Sequence, residues 1–162
     1  MAREVRESLA ERISTADGEP AARDPSERPG VLVVDDDRLV RIIVQLGLER
    51  DGFDVWLASS GLEAIDLYQK HQSRIAVVLL DVRMPGLDGP QTLDALRKLN
   101  PAARACFMSG DLGDYGPEEL RRRGAASLVA KPFRLDQLAN LLWLLVRGEP
   151  ADRLSPGGGC EK

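Results

Sequence analysis

The sequence predicts an α/β fold, a five-stranded parallel sheet with helices on both faces. Two observations predict it. Short β-branched or apolar runs alternate five times with segments of helical period, and at least four of those runs end in a polar side chain able to do chemistry. Alternation of this kind implies right-handed crossovers, and hence a doubly wound parallel sheet.

The elements follow in order. VLVV at 31–34 is a strand ending in Asp35 and Asp36, and Leu39, Ile42, Ile43, Leu46 and Arg50 then keep helical spacing up to Gly52, placed for a left-handed cap. FDVWL at 53–57 is a strand candidate. Ser60 with Glu63 reads as a capping box opening a helix through Tyr68. IAVVLL at 75–80 is a fully buried strand bounded by Asp81, and a loop with Pro85, Gly86 and Gly89 follows. Pro90 fits the first turn of a helix ending near Asn100. RACFMS at 104–109 is a strand, Pro117 opens a short helix closed by Gly124, SLVA at 127–130 is the fifth strand, and 135–147 is a strongly apolar helix. In that last helix Leu138, Leu141, Leu142 and Leu145 already complete a core stripe. Trp143, Leu144 and Val146 then widen the stripe or form part of a partner surface.

The 162 residues, 43% of them apolar, suffice for one compact core with tails. Residues 1–30 read as a disordered or partly helical tail with Val5, Leu9 and Ile13 four apart, 31–147 as the domain, and 148–162 as a flexible tail. A net charge of -4 argues against a direct nucleic-acid partner, and the lack of a long apolar run argues against a membrane one. Cys106 and Cys160 form neither a disulfide framework nor a metal pair, which fits a reducing cytoplasm.

In open sheets of this class, ligands sit beyond the carboxyl ends of the strands. Asp35, Asp36, Asp81, Ser109 and Lys131 all fall there. Crowded carboxylates raise one another's pKa unless a cation joins them, and hard oxygen ligands with room for waters suit Mg2+. Each residue also has a plainer reading. Asp35, Asp36 or Asp37 could cap the next helix, Asp88 could serve its turn, Lys131 could be a surface lysine, and His71 a solvated helix-end residue.

VLVVDDD at 31–37, LLDVRMPGLDG at 79–89, FMSG at 107–110 and KPF at 131–133 together resemble the receiver domain of two-component response regulators, stand-alone or cut from a hybrid kinase. The resemblance covers about residues 31–147 and implies the (βα)5 flavodoxin-like receiver fold. It implies Asp81 as phosphoacceptor, Ser109 and Lys131 as partners of the phosphoryl oxygens, and Mg2+ held by Asp35, Asp36, Asp81 and the backbone carbonyl of Arg83. It also implies a cis bond before Pro132 and no enzyme activity beyond self-phosphorylation and autodephosphorylation. The phosphodonor would be a sensor histidine kinase or a histidine phosphotransfer protein. Output would pass to a downstream protein, or to a homodimer, through the last two helices and the strand between them. One departure stands out: Leu128 occupies the position where the family often has an aromatic residue.

Three rival readings remain. A haloacid-dehalogenase-like phosphatase could use Asp35 and Asp37 with GDLGD at 110–114, although Lys131 would then stand in the wrong order. A flavodoxin-type flavin binder would lack its phosphate cradle, and a receiver-like interaction module would act without phosphorylation.

Overall fold

The computed structural model describes residues 28–111 and 114–149. The proposed tails fall almost wholly outside these residues. Five strands alternate with five helices: β1 (Gly30–Val34), α1 (Arg38–Arg50), β2 (Asp54–Ala58), α2 (Gly61–His71), β3 (Ile75–Asp81), α3 (Gly89–Leu99), β4 (Ala105–Ser109), α4 (Pro117–Arg122), β5 (Ala125–Ala130) and α5 (Leu135–Arg147). The sheet is parallel throughout in the order β2-β1-β3-β4-β5. Strand order therefore reverses between β1 and β3.

The central strands are apolar on both sides because both sides are covered. Leu32, Val34, Val78 and Leu80 pack with α2, α3 and α4 on one face, while Val31, Val33, Val77 and Leu79 pack with α1 and α5 on the other. In α5 the expected stripe Leu138, Leu141, Leu142 and Leu145 is buried, each leucine contributing on the order of 1.5–3 kcal/mol. Trp143 widens that stripe. Its ring lies 4.6 Å from Phe53 and its Nε1 donates to the Asp51 carbonyl at 3.2 Å, so it packs toward α1 and β2.

Several local expectations shift. β2 begins one residue later than predicted and β5 two residues earlier. Ser60 caps α2 by accepting from the Glu63 amide at 3.2 Å, but the Glu63 carboxylate returns to the Ser59 amide and hydroxyl, not to Ser60. The reciprocal capping box is found instead on α3, where Asp88 accepts from Gln91 N and Gln91 Oε1 accepts from Asp88 N. The larger difference concerns α1. Its apolar period is helical as predicted, yet Leu39, Ile42, Ile43 and Leu46 point outward, and the packed face is Val44, Gly47 and Leu48.

Candidate functional site

Register brings the site together. Val34 pairs with Leu80, so Asp35 and Asp81, one residue on, leave adjacent strands side by side at the switch in strand order. Asp81 in turn lies beside Met108, and Ser109 pairs with Ala130, so Ser109 and Lys131 complete the same rim. The Lys131 amide donates to the Ser109 carbonyl at 2.9 Å, which ties the last two strand ends together.

Carboxylate oxygens of Asp35, Asp36 and Asp81 lie within 4.8 Å of one another. Asp35 is fully buried, Asp81 nearly so, and Asp36 is exposed. Lys131 Nζ reaches over them, 2.7 Å from Asp35 Oδ2 and 3.7 Å from Asp81 Oδ1. Burial and the Asp35 charge push the Asp81 carboxyl up to about 6, opposed by Lys131. Burial pulls the Lys131 ammonium down, but its hydrogen bond to Asp35 and the charges of both aspartates outweigh that and hold it above the ordinary lysine range. Three carboxylates whose oxygens cluster this closely are a hard donor set that fits a small divalent cation.

Asp37 belongs to the helix, as its plainer reading had it: its Oδ1 accepts from Leu39 N at 2.9 Å and Val40 N at 3.4 Å. Asp88 likewise serves α3 and accepts from the Tyr115 hydroxyl at 2.7 Å. His71 ends α2 and stacks on Trp56 with ring centroids 5.3 Å apart, away from the acidic cluster. The Lys131–Pro132 bond is cis. Arg83 is placed just beyond Asp81, and its backbone hydrogen bond to that carboxylate lowers the carboxyl's pKa slightly against the larger upward push.

One participant was missed by sequence reasoning. Asp111 engages Ser109 twice through its backbone: its amide donates to Ser109 Oγ at 3.0 Å, and its carbonyl accepts from the same hydroxyl. Its carboxylate pairs with Arg83 Nη1 at 2.8 Å. The loop after β4 is therefore fastened to the loop after β3 beside Asp81. The available signal was an Asp two residues after a Ser in a Gly-containing turn, where side chain and backbone commonly bond locally. Beyond this bridge a hollow of about 750 Å3 opens between the two loops, lined by Arg83, Met84, Asp88, Tyr115 and Glu119 among others.

The family model for the response regulator receiver domain matches residues 31–142. Sensor kinase CckA from Brucella abortus is 36% identical over 118 residues, which are 73% of this chain but only 12% of that protein. Sporulation initiation phosphotransferase F from Bacillus subtilis is 31% identical over 112 residues, 67% of this chain and 86% of its own length. Among solved structures, the CheX-CheY-BeF3-Mg2+ complex from Borrelia burgdorferi aligns with a TM-score of 0.65 at 26% identity, covering 69% of this chain and 84% of the matched one.

Proposed function

Because the chain belongs to the response regulator receiver family and so acts in phosphorelay signalling, we propose that Asp81 is the residue that accepts the phosphoryl group. The observation that carries this reading is the joint placement of Lys131 and three carboxylates at the ends of β1, β3 and β5. An ionised aspartate needs no general base. It needs its charge and the charge of the incoming phosphoryl group neutralised, and the reaction is mostly positioning and electrostatics.

Asp35, Asp36, Asp81 and the Arg83 carbonyl are the residues we assign to Mg2+, which when bound supplies the positive charge that lets an anionic nucleophile meet an anionic phosphoryl group. The fit rests on the clustered carboxylate oxygens, and the solved relative from Borrelia burgdorferi is described as a complex with BeF3 and Mg2+. Lys131 binds one phosphoryl oxygen. Ser109 donates its hydroxyl to another, which requires that hydroxyl to leave the Asp111 carbonyl. That exchange is the switching step we assign, and Leu128, partly buried beside Phe107, takes part by aliphatic repacking.

Receiver domains are in general signalling modules and not enzymes in their own right. The partners we assign are a sensor histidine kinase or histidine phosphotransfer protein as donor, and a downstream protein or a second copy on the face made by α4, β5 and α5. We assign residues 31–147 to the receiver domain with tails on either side, acting in the cytoplasm. Among the described residues no helix is long and apolar enough to cross a membrane. The phosphatase reading is disfavoured by Asp37, whose carboxylate is committed to capping α1.

Mass spectrometry after treatment with acetyl phosphate and Mg2+ tests the proposal. One labile phosphate is expected on the protein and none on Asp81→Asn. No adduct on the parent chain would overturn it and leave a phosphorylation-independent module.

A further inference from the structure

Every polar group of Asp35 has a partner. Its amide donates to the Ala58 carbonyl at 3.2 Å, its Oδ1 accepts from the Asp37 amide at 2.9 Å, its Oδ2 accepts from Lys131 at 2.7 Å, and its carbonyl oxygen accepts from Arg41 Nη1 at 2.6 Å. That carbonyl belongs to the peptide group joining Asp35 to Asp36. Asp36 differs from both neighbours: its side chain is exposed and makes no hydrogen bond among the described residues, whereas Asp37 caps α1. A carboxylate without a partner takes its position from the backbone that carries it, apart from its own side-chain torsions. Mg2+ demands near-ideal octahedral geometry, so the placement of each ligand bears on affinity.

We propose that Arg41 is a positioning residue for the cation site, an inference that rests on the assignment of Asp35, Asp36 and Asp81 to Mg2+. Its guanidinium pins the Asp35–Asp36 peptide and so presents the Asp36 carboxylate, which has no side-chain bond of its own, to the metal.

The placement of Arg41 suits this role. Its backbone lies in the first turn of α1, where its amide donates to the Asp37 carbonyl at 3.1 Å, and its half-buried side chain runs back toward the helix N-terminus, as long helical side chains do. It is braced on a second side by Glu63. That carboxylate accepts from the Ser59 amide and hydroxyl, and these bonds, with the Arg41 charge adding to them, hold its carboxyl below the ordinary range. Arg41 thus stands between the turn after β1 and the turn after β2. A positive charge beside a cation site repels the cation, so its charge does not explain the residue. Its hydrogen bond does, and a weakly hydrated, planar guanidinium tolerates half-burial better than an ammonium.

The sign of the effect separates the two roles. Calorimetric titration of the full chain with MgCl2 measures affinity, and phosphorylation by acetyl phosphate is followed against Mg2+ concentration. Arg41→Met keeps an unbranched stem and removes the donor; it is expected to weaken Mg2+ by about 10–100-fold, the usual cost of losing a partner that orients a metal ligand, and to regain the parent rate at saturating Mg2+. Arg38→Met removes the same charge from an exposed position in the same turn and is expected to bind Mg2+ no more weakly than the parent. Affinity in Arg41→Met equal to or tighter than the parent's would overturn the proposal, and so would an equal loss in Arg38→Met. A rate that stays low at saturating Mg2+ would make Arg41 a partner of the phosphoryl group itself and overturn it too. If thermal melts show that Arg41→Met does not fold, Arg41→Lys decides: a smaller loss of affinity supports the proposal, and parent affinity makes Arg41 a structural residue only. A parent chain that binds no Mg2+ would refute the cation site itself, and this inference with it; Mg2+ binding lost in Asp36→Asn but intact in Arg41→Met would refute the role of Arg41 alone.

Discussion

Asp81 is held in a state that costs the fold. Its carboxyl is pushed up to about 6 from 3.8, first by burial and then by Asp35, so the folded chain retains a proton that the unfolded chain has lost. The stability associated with the protonated form is full below pH 4 and is lost as pH rises through about 6. In metal-free buffer, Asp81→Asn is therefore expected to be more stable than the parent at pH 7.5, by on the order of 1–2 kcal/mol after screening at the open rim, with the gap closing toward pH 4. Urea denaturation with EDTA at the two pH values measures this, and an equal gap at both would refute it. Arg83 works at the same scale. Its side chain, two residues after Asp81 in sequence, pairs with Asp111 at 2.8 Å and fastens the loop after β3 to the loop after β4, so Arg83→Ala is expected to loosen that link and shorten the phosphoryl lifetime a few-fold; an unchanged decay rate after removal of donor would sink this.

Residue-level legibility was uneven for a physical reason. Asp35, Asp36, Asp81, Ser109 and Lys131 could be found because each ends an apolar run, and parallel register aligns strand ends. Asp111 could not, because its role depends on the path of a loop whose local bonds leave no period in the sequence. The Asp81 environment was legible in kind, as crowded carboxylates beside a lysine. Its balance depended on burial that only the packed rim defines.

At the scale of elements, the sheet was readable because strands buried on both faces must be apolar throughout. The face of α1 was not. A helical period says that a face exists, and two apolar stripes on one helix leave open which of them meets the core. Val44, Gly47 and Leu48 won because the glycine allows close approach: a Cβ on Gly47 would come within 3.0–3.3 Å of Leu135 atoms. A stricter glycine sits at the start of α3. A Cβ on Gly89 would lie 2.4 Å from the Asp81 carbonyl oxygen and 2.9 Å from Val82 Cα, with no flexible side chain to yield. Gly89→Ala is expected to push the loop after β3 away from the rim, destabilise the fold by about 2 kcal/mol or more, and weaken phosphorylation together with stability. Thermal melts beside the acetyl phosphate assay check it. A variant with parent stability would show that the loop has slack.

For the whole molecule, the decisive feature is that the assigned cation ligands come from β1 and β3, neighbours in space that are separated in sequence by α1, β2 and α2. The site exists only once the sheet is assembled, so a cation that binds there binds the native state and not the unfolded chain. Mg2+ is then expected to raise the unfolding free energy with concentration, by about 2.7 kcal/mol at one hundred times its dissociation constant. It does so by offsetting the burial and the Asp35 charge that raise Asp81, so the gain should be larger at pH 7.5 than at pH 5, where a proton already does part of that work. Asp36→Asn should lose most of the gain, because Asp36 is the exposed carboxylate of the cluster and its replacement removes a ligand without opening a cavity. Urea midpoints titrated with MgCl2 measure all three, with NaCl at matched ionic strength as the control. Equal stabilisation of the parent and Asp36→Asn would mean that the effect is ionic screening of an acidic surface, and that the three carboxylates are not a cation site.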